Sequence, residues 1–500
     1  MDSDKCDEHW SRLTIRNNIA YLPVLAAYVR SVAEQAGFPA KEQRRIELAI
    51  EEVASTVIEQ AFDPNETASF DVICQEIPGG LQVSLRDKGI PYDPALEPDY
   101  TPGSDIESQS VAGLGGFLAR QLMDEYVFCN MGRDGKETRM VKYLDQQGPI
   151  NPDQAAPEPE VTMPPETPVR KRIDFDIRLM RPEEAIEVAR CVYDSYGYSY
   201  ANEHIYFPER IVKMNESGSL RSAVAVTTQN EVAGHFALIC YDHLPAEIGI
   251  AVTKKKFRGQ GFARKLGEFL DAEARGMGLK GVHVKEVTVH PYTQKFCEKL
   301  GYKDCGFLLA HSPKTLSFKG IADELAQRNS DILGFRYLQP PEQRTVYAPG
   351  RHVDVIRGLY ENLGVPVTLA QVPKCAPGDE PTLMVASINS LRSLGEVQVT
   401  RFGSDFIPSL RSELHRMRRE EVRVIEMYLS LADPLMQSFV PDIESLGFFF
   451  TGIMPETPVG DALVMQYLNG VQVEYDGITV VSDTARDLLE YIQKLDPHGA

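Results

Sequence analysis

The chain has 500 residues, 43% hydrophobic and 25% charged, the make-up of a globular protein with room for about three domains. Its net charge of −20, from 52 basic and 72 acidic residues, argues against a nucleic-acid binder, which carries a basic face. Eight scattered cysteines with no C-x-x-C pair argue against a disulfide framework or a zinc site, and no metal centre is expected.

Residues 1–8 are acidic and lack an apolar core, so they read as no signal peptide. No apolar run approaches the ~20 residues that span a bilayer, and cytoplasmic residence without a membrane partner is the expectation. Residues 44–62 place Ile46, Ala49, Ile50, Val53, Val57 and Ala61 at helical spacing, predicting an amphipathic helix. Residues 72–87 give two strand-like runs around Pro78-Gly79-Gly80, a hairpin signal. The turn Asp87-Lys88-Gly89-Ile90-Pro91 closes the second run. Gly113-Leu114-Gly115-Gly116 opens a further helix over 117–124, and a last strand is expected near 138–143.

This order of a helix-borne glutamate, Asp-x-Gly after a strand and Gly-x-Gly at a helix start resembles the GHKL ATP-binding fold over about residues 10–145, and most of all the anti-sigma-factor serine kinases. The resemblance implies ATP and Mg²⁺ as ligands. It assigns Glu52 to the acidic helix motif, Asp87 and Gly89 to adenine reading, and Gly113 and Gly115 to the phosphate-side lid. Two positions depart from it. Thr56 stands where the family has a metal-holding Asn, and Pro91 replaces the second glycine of Asp-x-Gly-x-Gly. Both count against kinase or ATPase turnover more than against binding.

Residues 146–172 hold seven prolines (149, 152, 157, 159, 164, 165 and 168) and few large apolar residues, the composition of an extended linker. Beyond it, 175–179 alternates as a strand and a helix is predicted from Pro182 to about Tyr193. An aromatic stretch with Tyr196, Tyr198 and Glu203 suits a walled acceptor pocket. Strands are expected at 222–228, 231–240 and 246–252. The last runs into Lys256-Phe257-Arg258-Gly259-Gln260-Gly261-Phe262-Ala263-Arg264, then a helix to Arg275. A strand, a basic glycine turn and a helix N-terminus make an anion site, because converging N–H groups and the helix dipole favour negative charge.

Arg258-x-x-Gly261-x-Ala263 resembles the pyrophosphate-holding signature of the GNAT acetyltransferases, and the likeness extends over about residues 173–335. It implies acetyl-CoA as donor and an amine as acceptor. The cofactor contacts it implies are Ile250, Val252 and Thr253 on a splayed strand and Arg258, Gly259, Gln260, Gly261, Ala263 and Arg264 around the turn. The candidate bases are Glu247, at the start of that strand, and His290, in Val287-Thr288-Val289-His290; Cys297 fills the position where the family places an acid Tyr. A buried small apolar role is the better reading of Cys297.

Glu298-Lys299-Leu300-Gly301-Tyr302 with Gly306 recurs as Glu444-Ser445-Leu446-Gly447-Phe448 with Gly452, and Ala246-Glu247-Ile248 corresponds to Gly395-Glu396-Val397. A second, degenerate GNAT-like half is therefore expected. Its turn, Arg401-Phe402-Gly403-Ser404-Asp405, puts a negative charge where phosphate would sit. The expectation is an α/β (α+β) chain of three modules: a GHKL-like sandwich at 1–145, the linker at 146–172, a GNAT fold at 173–338 and a degenerate copy at 339–500. Acetyl transfer to an amine-bearing small molecule or protein, governed by the front module, is one expected function. A signalling switch is the other, in which the front module captures an anti-sigma or sigma-type partner and the rest is scaffold.

Overall fold

The computed structural model describes residues 10–62, 67–92, 114–144, 174–316, 325–371 and 376–499. The proline-rich 146–172 and Gly113 lie outside the described residues. The chain divides into two units, Met1–Arg172 and Ile173–Ala500. No helix among the described residues is long and apolar enough to cross a membrane.

Unit 1 runs β1 (Trp10–Arg16), α1 (Leu22–Gln35), α2 (Ala40–Gln60), β2 (Ser69–Ile77), β3 (Gly80–Asp87), α3 (Leu114–Leu122), β4 (Glu125–Asn130) and β5 (Lys136–Tyr143). Its five-stranded sheet has the order β1-β2-β3-β5-β4, all neighbours antiparallel. The apolar stripe of α2 (Ile46, Ala49, Ile50, Val53, Val57) is buried against alternate residues of β2 and β3, among them Phe70, Val72, Val83 and Leu85. Alternation on the strands and a 3.6-residue period on the helix each give one apolar face, and the two faces meet.

Unit 2 begins with β6 (Phe175–Leu179), α4 (Ala185–Tyr196), α5 (Pro208–Ser217), β7 (Leu220–Thr227), β8 (Val232–Ile239), β9 (Glu247–Thr253), α6 (Phe262–Gly276), β10 (Gly281–Val287), α7 (Tyr292–Lys299), β11 (Lys303–Ser312) and β12 (Asn329–Tyr337). It continues with β13 (Arg344–Val346), α8 (Val353–Leu363), β14 (Val367–Leu369), β15 (Leu383–Asn389), β16 (Leu394–Arg401), α9 (Phe406–Arg419), β17 (Val424–Ser430), α10 (Pro434–Ser445), β18 (Phe449–Thr457), β19 (Gly460–Leu468) and α11 (Asp483–Gln493). Twelve strands form one sheet in the order β15-β16-β17-β19-β18-β11-β12-β10-β9-β8-β7-β6.

That order contains a repeat. The succession β9-α6-β10-α7-β11-β12 recurs as β16-α9-β17-α10-β18-β19, with the same neighbour order in the sheet. The two copies join edge to edge where β11 meets β18, at Gly306 opposite Gly452. A Cβ on Gly452 would overlap Gly306 Cα, so the glycines shared by the two sequence repeats are what let the strands close at the seam. In the second copy Asp405 accepts hydrogen bonds from Thr382 N (2.8 Å), Thr382 Oγ1 (2.7 Å) and Ser409 Oγ (3.3 Å). Protein groups thus fill the start of α9, where the first copy has an open glycine turn.

Candidate functional site

The site is built from the way β9 leaves its neighbours. Toward β10 its ladder consists of a single pair, Glu247 opposite His283, after which β10 continues against β12 instead. Toward β8 the register slips by one residue between Ala237–Gly249 and His235–Val252, a β-bulge. Ile250 sits in the bulge with φ +50°, and its carbonyl oxygen meets His235 Nδ1 at 3.1 Å. His235 is fully buried, and burial pushes its pKa down to about 4. The ring is therefore neutral at pH 7, and its Nδ1–H donates to that carbonyl. The single pair toward β10 leaves the rest of that edge of β9 without a strand partner among the described residues, facing the gap.

β9 ends at a turn in which Gly259 and Gly261 both have positive φ, +82° and +88°. A residue with a Cβ is strained there. Gly261 is the N-cap of α6 and has no side chain with which to cap the first-turn N–H groups. A Cβ on Gly261 would meet nothing within 4 Å: the space in front of the helix is open. α6 is anchored by Phe262, Leu266, Leu270 and Ala274, buried at four-residue intervals. Of the cationic side chains nearby, Lys254 is paired with Glu187 and Glu231, Lys256 with Glu231, and Arg264 with Glu268. Arg258 Nε donates to Thr253 O (3.3 Å). The turn's capacity for an anion therefore rests on backbone donors more than on those lysines.

A cavity of about 430 Å³ runs along the gap. Its lining includes Glu247, Ile250, Thr253 and Ala263 from β9 and α6, Tyr196 and Tyr200 from the end of α4 and the segment after it, and Cys297 from α7. Glu247 Oε2 accepts from Tyr241 Oη (2.7 Å) and Lys285 Nζ (2.9 Å). Burial opposes its ionisation, but Lys285 and His283 outweigh burial and hold the carboxyl well below its ordinary range. Lys285 is raised in turn: burial disfavours its charge, and the Glu247 carboxylate more than compensates. Cys297 is buried, and burial followed by the nearby Glu286 pushes its thiol well above the ordinary range. Glu286 is itself raised to about 9 by burial and by Asp304.

The other sequence candidates lie elsewhere. Val252 is buried in the packing beneath α4. Tyr198 packs edge-on against Tyr193 and at a tilt against Tyr206, and Glu203 approaches Arg210 at 3.9 Å; neither lines the cavity. His290 is also absent from the lining, and burial lowers its pKa. The sequence reading missed Tyr241, Lys285, His311, Asp331 and Arg392, all of which line the cavity. Only the repeat hinted at the last of these, since it predicts a second copy close enough to reach the first.

In unit 1, Asp87 ends β3 and its Oδ1 is held by Lys136 Nζ (2.5 Å) and Gly89 N (2.9 Å). Lys136, opposite it on β5, also donates to Ile90 O (3.1 Å). Thr56 Oγ1 donates to Glu52 O (3.0 Å), and a Cβ on Gly115 would lie 2.8 Å from that hydroxyl. The start of α3 thus packs directly on α2. Glu52 is raised by burial and by Glu59. The residues at the metal position do not fit Mg²⁺ held as the GHKL resemblance implies, because the Thr56 hydroxyl is turned to its own helix. Asp87 carries a buried ammonium on Oδ1.

Residues 15–142 match the family model of the histidine kinase-like ATPase domain. Unit 1 is accordingly a GHKL-like domain. It is 25% identical over 130 residues to the serine-protein kinase RsbW of Bacillus subtilis, spanning 25% of this chain and 79% of that protein. The serine-protein kinase RsbW of Listeria monocytogenes is 26% identical over 120 residues, 23% of this chain and 75% of that protein. Among solved structures, an aminoglycoside 6′-N-acetyltransferase complexed with coenzyme A is similar at 19% identity and TM-score 0.26, over 33% of this chain and 99% of that one. The spermidine/spermine N-acetyltransferase SpeG of Vibrio cholerae is similar at 17% identity and TM-score 0.27, over 33% of this chain and 95% of that one.

Proposed function

We propose that unit 2 transfers an acetyl group from acetyl-CoA to an amine, and that unit 1 regulates it by docking a protein. The observation that carries the reading is the parted β9 edge running into the open Gly259–Gly261 turn at the start of α6, with Glu247 in the adjoining cavity. In this reading the pyrophosphate lies on the α6 N–H groups and the pantetheine arm pairs with the free edge of β9. The thioester is thereby delivered beside Glu247. The amine nitrogen attacks the thioester carbon, a C–N bond forms, and the C–S bond breaks with its electron pair leaving on sulfur. Glu247 attracts the incoming ammonium and receives its proton on the way to solvent. The CoA thiolate is a good leaving group, with a thiol pKa near ~8.5, and takes its proton from water. Cys297, whose thiol is held above that range, is not needed as an acid.

Unit 1 is proposed to act through a bound protein partner, with no step routed through ATP. The Lys136–Asp87 pair supports this reading.

Calorimetric titration of acetyl-CoA into the full chain tests the transferase reading. Micromolar binding that Gly261→Glu abolishes is expected. Arg258→Glu, at a position of ordinary backbone geometry, is expected to weaken it at least tenfold. No binding to the wild-type chain overturns the proposal.

A further inference from the structure

The turn between β15 and β16 belongs to the second repeat, yet it carries Arg392 into the cavity of the first. Arg392 Nη1 lies 3.3 Å from His311 Nε2, and His311 Nδ1 lies 2.7 Å from Glu426 Oε1. With Glu426 as acceptor, His311 donates at Nδ1 and accepts at Nε2, so it presents a lone pair to Arg392. Arg392 Nε is buried with no hydrogen-bond partner, and among the described residues no carboxylate lies within ion-pair distance of the guanidinium. Arg392 as a whole is half-buried, but a guanidinium with one buried, unfilled donor is costly unless something in the cavity supplies an acceptor.

The other charges in the cavity are arranged differently. Glu247 accepts from Tyr241 and Lys285 through Oε2, so Oε1 is the oxygen left to meet a further donor. Asp331 is only 4% exposed, and its Oδ1 accepts from Asn329 Nδ2 (2.7 Å). The cavity thus offers two carboxylates for a cationic group and one guanidinium for an anionic group, with Tyr196, Tyr200 and Tyr241 as walls. A diamine or polyamine would satisfy the carboxylates and leave the Arg392 guanidinium facing a cation across the cavity. A molecule carrying both an amine and a carboxylate satisfies all of them.

We propose that the acceptor is a free amino acid, its carboxylate docked on Arg392 and its amine turned toward Glu247, so that the degenerate repeat supplies half of the acceptor recognition. This rests on the acetyl-transfer reading. The reaction is then N-acetylation of the amino acid. The C–N bond forms, the C–S bond of acetyl-CoA breaks, one amine proton passes to solvent and CoA leaves as its thiol.

The test compares each of several amino acids with its decarboxylated amine (lysine with cadaverine, arginine with agmatine, tyrosine with tyramine, phenylalanine with phenethylamine). CoA thiol release by the full chain is the readout. At least one acid is expected to exceed its amine by about 10²-fold in kcat/KM, because a site built to pair a charged group rejects the analogue lacking it. Arg392→Gln is expected to bring that ratio near one and to leave acetyl-CoA affinity, read by calorimetry, unchanged. Arg392→Lys is expected to fall between, since it keeps the charge but loses the planar fork. The proposal is overturned if the amine matches or beats the acid in every pair, if no acid is acetylated while acetyl-CoA still binds, or if Arg392→Gln leaves the ratio unchanged. A wild-type chain that binds no acetyl-CoA overturns the transferase reading itself, and the calorimetry separates the two failures.

Discussion

Replacing Lys136 with methionine strips the Asp87 carboxylate of its ammonium while keeping the length and packing of the side chain. The two side chains are 8% and 4% exposed, so solvent cannot take over the lost partner. Removing one member of a pair this deep typically costs about 3–5 kcal/mol. With a urea m-value of about 2–3 kcal/mol/M, the midpoint for unit 1 should fall by roughly 1.5 M. The chain has a built-in reporter for this unit alone. Its single tryptophan, Trp10, lies in β1, opposite Gln75 of β2. Urea titration followed by tryptophan fluorescence therefore reads the sheet that holds Asp87. The same assay on Asp87→Asn and on the double variant closes a cycle, for which a coupling above about 1 kcal/mol is expected. Mg²⁺-ATP added to the wild-type chain should leave the midpoint unmoved, whereas a ligand at a hundred times its Kd would add about 2.7 kcal/mol. A loss below about 1 kcal/mol, a coupling near zero, or a clear shift with ATP would refute the assignment of Asp87 to a structural pair.

Lys285→Met should bring an acid limb into the pH–rate profile of acetyl transfer. In the wild-type chain Glu247 is held well below the usual carboxylate range by Lys285; without it, burial raises the group. Kinetics between pH 5 and 8 should therefore be flat for the wild type in this respect and fall on the acid side for the variant. The depressed Glu247 also stabilises the fold at neutral pH. That contribution is complete above its unfolded pKa of about 4.3 and is lost as pH falls through the folded value. Thermal melts should show the wild-type advantage over Glu247→Gln shrinking below pH 4. Gly452→Val should cost about 1–3 kcal/mol in thermal unfolding of unit 2, since the new side chain overlaps Gly306 across the seam; an unchanged melt would contradict the β11–β18 contact. Cys297→Ala should leave acetyl transfer within about threefold of wild type, and a collapse of kcat would restore the thiol as an acid.

The first copy of unit 2 was legible because its signals are local. Apolar runs, a glycine turn and an amphipathic helix are each decided within ten or fifteen residues, and β9, the turn and α6 lie where the spacing put them. In unit 1 the periodic helix was read four residues short at its start (Ala40, not Arg44), and β1 and α1 went unread, since their apolar residues gain meaning only against α2 and β2. The acceptor end was harder to read. Arg392 sits 145 residues from Glu247 in sequence, in a polar turn with nothing to mark it. It becomes informative only when the seam brings the two copies into one sheet. Lys136 was hidden for a related reason: a lysine on a strand reads as solvated until its cross-strand partner turns out to be Asp87.

The seam at Gly306 and Gly452 has a kinetic corollary. When one subunit lends a residue to its neighbour's pocket, the pocket empties of that residue on dilution, and catalysis then tracks concentration. Here Arg392 and the cavity it lines belong to one polypeptide, so under the acetyl-transfer proposal specific activity should stay constant however thinly the chain is spread. The second copy has Asp405 and its hydrogen bonds where the first has an open turn, so one half keeps the turn beside the cavity and the other is free to shape the cavity's far wall.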